Sequence, residues 1–190
     1  MKLLKIVVFA VLILAFTISL LDYFSPYRNN NIYPNRALIQ SITIKKPPSV
    51  VFNYLGNSDN ASNWSVYVNH ITPLNTQEIE DGKIGSIRRC FKNKNETGIY
   101  WDEEIIKSIT NEKRTLSVYN LNGFWFTAHS LKTEQLYKET EGNCKLSFTL
   151  FSDNKNTSFL NELKLSLGSY FIKSIFEENI KNIKQIIEKE

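Results

Sequence analysis

The sequence predicts an α+β fold: a curved antiparallel sheet of seven strands wrapped on a long C-terminal helix, two short helices after the first strand, and one apolar helix at the N-terminus. Three observations predict it. From Thr157 to the end, Leu160, Leu163, Leu167, Phe171, Ile175, Phe176, Ile180, Ile183 and Ile187 recur at steps of three and four without a proline, which is the period of an amphipathic helix. Between residues 38 and 153 the apolar residues alternate in short runs separated by turn residues, the pattern of half-buried strands. Residues 3–21, LLKIVVFAVLILAFTISLL, are almost wholly apolar.

That N-terminal run is long enough to cross a bilayer. It is flanked by Lys2, Lys5 and Asp22, and LLDYFSPYRNN after it lacks the alternate small residues a cleavage site requires, so an uncleaved signal anchor over residues 1–22 is expected in place of a removed signal peptide. A very short N-terminal tail places the rest of the chain on the extracytoplasmic side of a single-pass protein, with Arg28 and Arg36 working against that bias. Residues 23–37 carry two prolines and show neither period, as a juxtamembrane linker does. Tyr23, Phe24, Tyr27 and Tyr33 are open to two readings, one in the headgroup region and one packed on the domain.

Residues 38–45, LIQSITIK, have the β-branched alternation of a first strand. Pro48 suits the first turn of a helix, where its missing N–H is harmless, and Val50, Val51, Tyr54 and Leu55 give that helix a short apolar face ended by Gly56. A second short helix opens near Ser58 or Asp59 and carries Trp64, Tyr67 and Val68. Strands follow at about 71–79, 85–93, 97–109, 114–120, 125–138 and 144–152. Asp81-Gly82, Asn93 to Asn95, Asn111-Glu112, Asn122-Gly123 and Glu141 to Asn143 supply the turns, so consecutive strands should pair as hairpins. In the final helix Thr157 or Ser158 is the candidate N-cap. Gly168 costs about 1 kcal/mol relative to alanine there, and marks either a break into two helices or a close approach of a strand or ligand to bare backbone.

Composition narrows the function classes. The 23 basic and 19 acidic residues are dispersed, with no dense Lys/Arg block, which argues against nucleic-acid binding. Aromatics make up 13%, enough to line a core or cavity with rings. Cys90, Cys144, His70 and His129 have no metal-ligand spacing, so neither a metal nor another cofactor is expected. The strand order puts Cys90 and Cys144 on non-neighbouring strands, so two free thiols are expected.

SITIKKPPSVVFNYLGNSDNASNWSVYV (residues 41–68), a strand followed by a PPxxVFxYL-type helix and a Trp-bearing second helix, resembles the opening of the START-like (SRPBCC) superfamily in its polyketide cyclase/dehydrase-like branch. FEENIKNIKQIIEKE is similar to that family's last helix turns. The resemblance spans residues 38–190 and implies a helix-grip fold whose cavity, between sheet and helix, holds lipids, sterols, quinones or polyketides in relatives. It carries over no catalytic residue.

Alternation gives candidates for the cavity wall. Ile87, Arg89 and Phe91 are the more apolar set of their strand, and Ile99, Trp101, Glu103 and Ile105 of the next, so Arg89 and Glu103 are expected inward and within reach of one another, unless the register slips by one. Trp101, Tyr119, Phe148 and Phe171 should face the same space, and His129 is a further candidate polar group. The reading that follows is a membrane-anchored binding domain for a hydrophobic small molecule. A cyclase/aromatase-like enzyme and a protein-interaction module on the same scaffold are the alternatives.

Overall fold

A computed structural model describes residues 2–124, 127–154 and 158–189. The elements are α1 (Lys2–Tyr23), β1 (Ala37–Ile44), α2 (Pro48–Gly56), a 3₁₀ turn (Ser58–Asn60), α3 (Ala61–Trp64), β2 (His70–Pro73), β3 (Ile87–Phe91), β4 (Tyr100–Ile109), β5 (Lys113–Asn122), β6 (Leu131–Thr140), β7 (Asn143–Ser152) and α4 (Phe159–Lys189). All seven strands form one antiparallel sheet in the order β1-β7-β6-β5-β4-β3-β2. The first strand therefore pairs with the last, and α4 packs across the face between them.

Packing divides α4 into two halves. Ile180, Ile183 and Ile187 sit in a solid core with Val51, Phe52 and Leu55 of α2, Ile44 of β1, Tyr137 of β6, and Cys144, Leu146 and Phe148 of β7. Each isoleucine buried there contributes about 1.5–3 kcal/mol. In the N-terminal half, Leu165 meets Tyr27, Leu38 and Leu150 in a smaller cluster. Ser158 caps the helix, its Oγ accepting from the Asn161 amide at 3.2 Å; Thr157 lies outside the described residues. The helix runs unbroken through Gly168, contrary to the expectation of two helices.

Residues 25–36 pack as a strap along the sheet. Arg28 and Ala37 exchange both backbone hydrogen bonds, at 3.0 and 2.8 Å, which folds the strap against the start of β1. Tyr27 is fully buried under α4, while Tyr33 covers the outer face, its ring tilted against Phe151 at 4.5 Å and its hydroxyl donating to Glu134 Oε1 at 2.6 Å. Tyr23 and Phe24 remain exposed.

Four strands, β2, β3, β4 and β6, are shorter than expected, and for β2 and β6 the local reasons are visible. β2 stops at Pro73 because the Asn75 side chain takes over the ladder, accepting from Ile87 N at 2.8 Å and donating to Gly85 O at 2.9 Å. β6 starts at Leu131, after Ser130 at φ +55°, and the Asn161 amide holds His129 N at 2.8 Å and His129 O at 3.4 Å. Trp125, expected to open that strand, lies outside the described residues. Cys90 of β3 and Cys144 of β7 are free thiols, with β4, β5 and β6 between their strands.

Candidate functional site

The N-terminal half of α4 does not close on the sheet, and a cavity of about 460 Å³ lies between them. This is within the ordinary range for a small-molecule site, about 300–1,000 Å³. Its floor is Leu116 and Val118 of β5, Leu131 and Thr133 of β6, and Phe148 and Leu150 of β7; its roof is Leu165, Leu167, Gly168, Phe171, Ile172, Ile175 and Phe176 of α4. Gly168 lies in the roof and contributes no side chain to it. Four rings in succession border the space: Phe171 meets Tyr67 edge-on at 5.5 Å, Tyr67 stacks on Trp101 at 5.9 Å, and Trp101 meets Phe124 at 6.0 Å.

One charged pair is set into the wall. Arg88 Nε and Nη2 donate to Glu103 Oε2 at 3.0 and 2.9 Å, and Trp101 Nε1 donates to Glu103 Oε1 at 2.9 Å, so both carboxylate oxygens are engaged. Arg88 Nη1 also donates to Ser58 Oγ at 3.3 Å, and Ser58 is held by Asp81 through its amide and hydroxyl. Burial works against the Arg88 charge, and the adjacent Glu103 carboxylate outweighs it, holding the guanidinium above its ordinary value. Burial, then Glu103, pushes the neighbouring Cys90 thiol well up, so it stays neutral. Beneath the wall Arg114 donates from Nη1 to Gln135 Oε1 and to Tyr137 Oη, each at 3.2 Å, which fixes the Gln135 side chain.

Of the residues singled out from the sequence, Trp101, Glu103, Phe148 and Phe171 line the cavity. Arg89, Tyr119 and His129 are not among its lining residues. Arg89 is displaced by a one-residue difference in register: Arg88 lies across from Glu103, and Arg89 from Asp102, on the outer face. The turn is longer than expected, running from Lys92 to Ile99 with Glu96 at φ +59° and Gly98 at φ +80°. Tyr119 faces outward because it alternates with Leu116 and Val118, which face the cavity; a bulge follows it, where Asn120 has φ +51° and the pairing steps from Asp102–Tyr119 to Tyr100–Asn122. His129 belongs to the clamp described above; its neighbours Thr127 and Ala128 reach the cavity. The wall residues that alternation missed, Arg88, Tyr67, Phe124 and Gln135, had one readable signal among them. Arg88 shares its face with a cysteine, a residue type usually buried.

On the outer face Arg89 Nε and Nη2 bind Asp102 at 2.7 and 3.0 Å, and Asn120 Nδ2 adds a third bond at 2.7 Å. Burial raises the Asp102 pKa, but the bonds from Arg89 and Asn120 outweigh it and hold the carboxyl below its usual 3.8. A carboxyl depressed in the folded state contributes stability above its unfolded value, and that contribution is lost as pH falls through the folded value. Asp102→Asn should therefore flatten the stability profile below about pH 4. Urea midpoints measured across that range check it; parallel profiles for parent and variant would refute it.

No protein-family model and no curated protein sequence matches the chain. Solved structures do. The fold of Ara h 8.0201 superposes with a TM-score of 0.59 at 11% identity, covering 81% of this chain and 98% of that one. Major latex-like protein 151 of Panax ginseng gives 0.57 at 14%, over 79% and 95%. DynU16, a putative protein in the dynemicin biosynthetic locus, gives 0.55 at 8%, over 80% of this chain and 47% of that one. Likeness at these identities is likeness of fold, and with the topology above it makes this chain a helix-grip protein.

Proposed function

We propose that the protein is a membrane-anchored binding or transport protein for a hydrophobic small molecule held between the sheet and α4, with residues 1–22 as the anchor, 23–37 as the connecting strap and 38–190 as a START-like domain of the polyketide cyclase/dehydrase-like branch. The observation that carries the reading is an apolar cavity whose one inward ion pair is satisfied within the protein. Apolar burial at about 25 cal/mol per Å² supplies affinity in such a site, and polar groups set orientation. A cavity of about 460 Å³ is of the size that holds a small-molecule ligand. Arg88 and Glu103 neutralise one another, so that wall suits an uncharged polar group, while Lys164, also at the lining, donates to Thr127 O at 3.1 Å. The apolar length of α1 supports the anchor.

Native mass spectrometry of the full-length protein, released from detergent, tests the reading: a copurified neutral lipid, quinone, sterol or polyketide-like mass is expected. A cavity that stays empty in every preparation, and takes up neither a fluorescent fatty alcohol nor a fluorescent sterol, would refute it. Gly168→Leu should lower affinity for both probes at least tenfold, about 1.4 kcal/mol, by filling the cavity roof. The same substitution should raise thermal stability, because the glycine costs about 1 kcal/mol in a helix. Phe171→Trp should weaken the bulkier sterol more than the alcohol. Fluorescence titration and melting curves on the same samples separate the two effects.

A further inference from the structure

α1 is not tethered loosely to the domain. Its last turn is docked on the stripe of α4 adjoining the cavity roof: Tyr170 Oη donates to Leu21 O at 2.8 Å, and Ser25 Oγ lies 2.9 Å from Ser166 O and 3.0 Å from Ser169 Oγ. Arg36 ties the corner together, reaching Asp22 Oδ1 at 2.8 Å, Tyr27 O at 2.7 Å and Ser166 Oγ at 3.4 Å. Phe171, one of the four rings bordering the cavity, directly follows the tyrosine that touches α1.

The α1 end and the first turns of α4 carry apolar side chains that are exposed among the described residues. Phe159 and Leu160 in the first turn of α4 are 77% and 67% exposed, Tyr23 and Phe24 at the end of α1 are 78% and 59% exposed, and Phe171 is 53% exposed. Phe159 precedes Ser166 by seven residues, about 10 Å along the helix axis. Exposed large apolar side chains mark a contact surface, and aromatics at the end of a membrane-spanning helix, as Tyr23 and Phe24 are, sit at headgroup level.

We propose that the docking of α1 on α4 holds the four-ring border of the cavity, Phe171, Tyr67, Trp101 and Phe124, against the bilayer surface, so that the ligand passes between acyl chains and cavity without crossing water. This rests on the reading of α1 as a membrane anchor and of the cavity as a hydrophobic-ligand site. The lipid surface, not a partner protein, is the occupant the observations favour, because the exposed rings of Tyr23 and Phe24 lie at the end of α1, none of whose described residues is buried.

The test uses the full-length protein in phosphatidylcholine vesicles, with flotation as the check that it is membrane-bound. Single cysteines at Phe159→Cys, Phe171→Cys and Glu141→Cys carry an environment-sensitive fluorophore. Glu141 lies in the β6–β7 turn, at the opposite end of the sheet. The native thiols do not compete for the label: both are buried, and burial pushes Cys144 up to about 11 and Cys90 well up. Lipid spin-labelled near the headgroup should quench positions 159 and 171 at least threefold more than position 141. Equal quenching at the three positions, or a protein that fails to float, would overturn the proposal. Preferential quenching with a cavity that never loads a probe would instead remove the ligand reading and leave the orientation standing.

Discussion

Glu103→Ala is expected to destabilise the protein by roughly 3–5 kcal/mol, because it strips a buried guanidinium of its counter-charge. Arg88 and Glu103 side chains are only 9% and 14% exposed, and no second carboxylate among the described residues lies within salt-bridge distance of Arg88. The loss comes from the stranded cation more than from the missing bond, so the double variant Arg88→Met/Glu103→Leu should recover most of it. Urea denaturation of the two single variants and the double gives the coupling directly. A double variant as unstable as Glu103→Ala alone would mean that the pair does not act as a unit.

Tyr27→Ala is expected to cost about as much, roughly 3–5 kcal/mol, the range for removing a large aromatic from a packed interior. Tyr27 is fully buried against Leu38, Leu150 and Leu165, with the Arg36 guanidinium 5.4 Å from its ring centre. Ile32→Ala in the same strap is the control: Ile32 is 73% exposed, so its loss should fall within about 0.5 kcal/mol of zero. Equal and small effects at both positions would show the strap to be an ornament on the fold. A chain begun near Asn35 loses Tyr27 together with the Ser25 bonds to α4, and should be markedly less stable than one begun before Ser25.

Periodicity made the architecture legible. Steps of three and four located α4, Pro48 and Gly56 bounded α2, and alternation with turn residues found seven strands. Phase was harder to read than existence. The side-chain period of a strand is two, so one extra residue in the Lys92–Ile99 connection moved the inward arginine from 89 to 88. That shift depends on the positive φ at Glu96 and Gly98, which the hydrophobic pattern does not announce; Tyr119, by contrast, alternates with the inward Leu116 and Val118, and the pattern itself places it outward. Tyr67 and Phe124 come from irregular segments that have no period. The strap was hidden for a related reason, since its prolines and asparagines read as a linker while its buried tyrosines are fixed by contacts more than a hundred residues away.

The pairing of β1 with β7 has a consequence for synthesis. Ile44 lies opposite Cys144 and Ala37 opposite Phe151, so the first strand waits with an unpaired edge until nearly the whole chain exists. Its other support, Ile180 to Ile187, comes later still. Closing contacts of this sequence separation is slow, and an open apolar edge is the usual seed of aggregation in the interval. An α1 that enters the bilayer first would keep each nascent chain apart from its neighbours during that wait, giving the helix a use before there is any cavity to position.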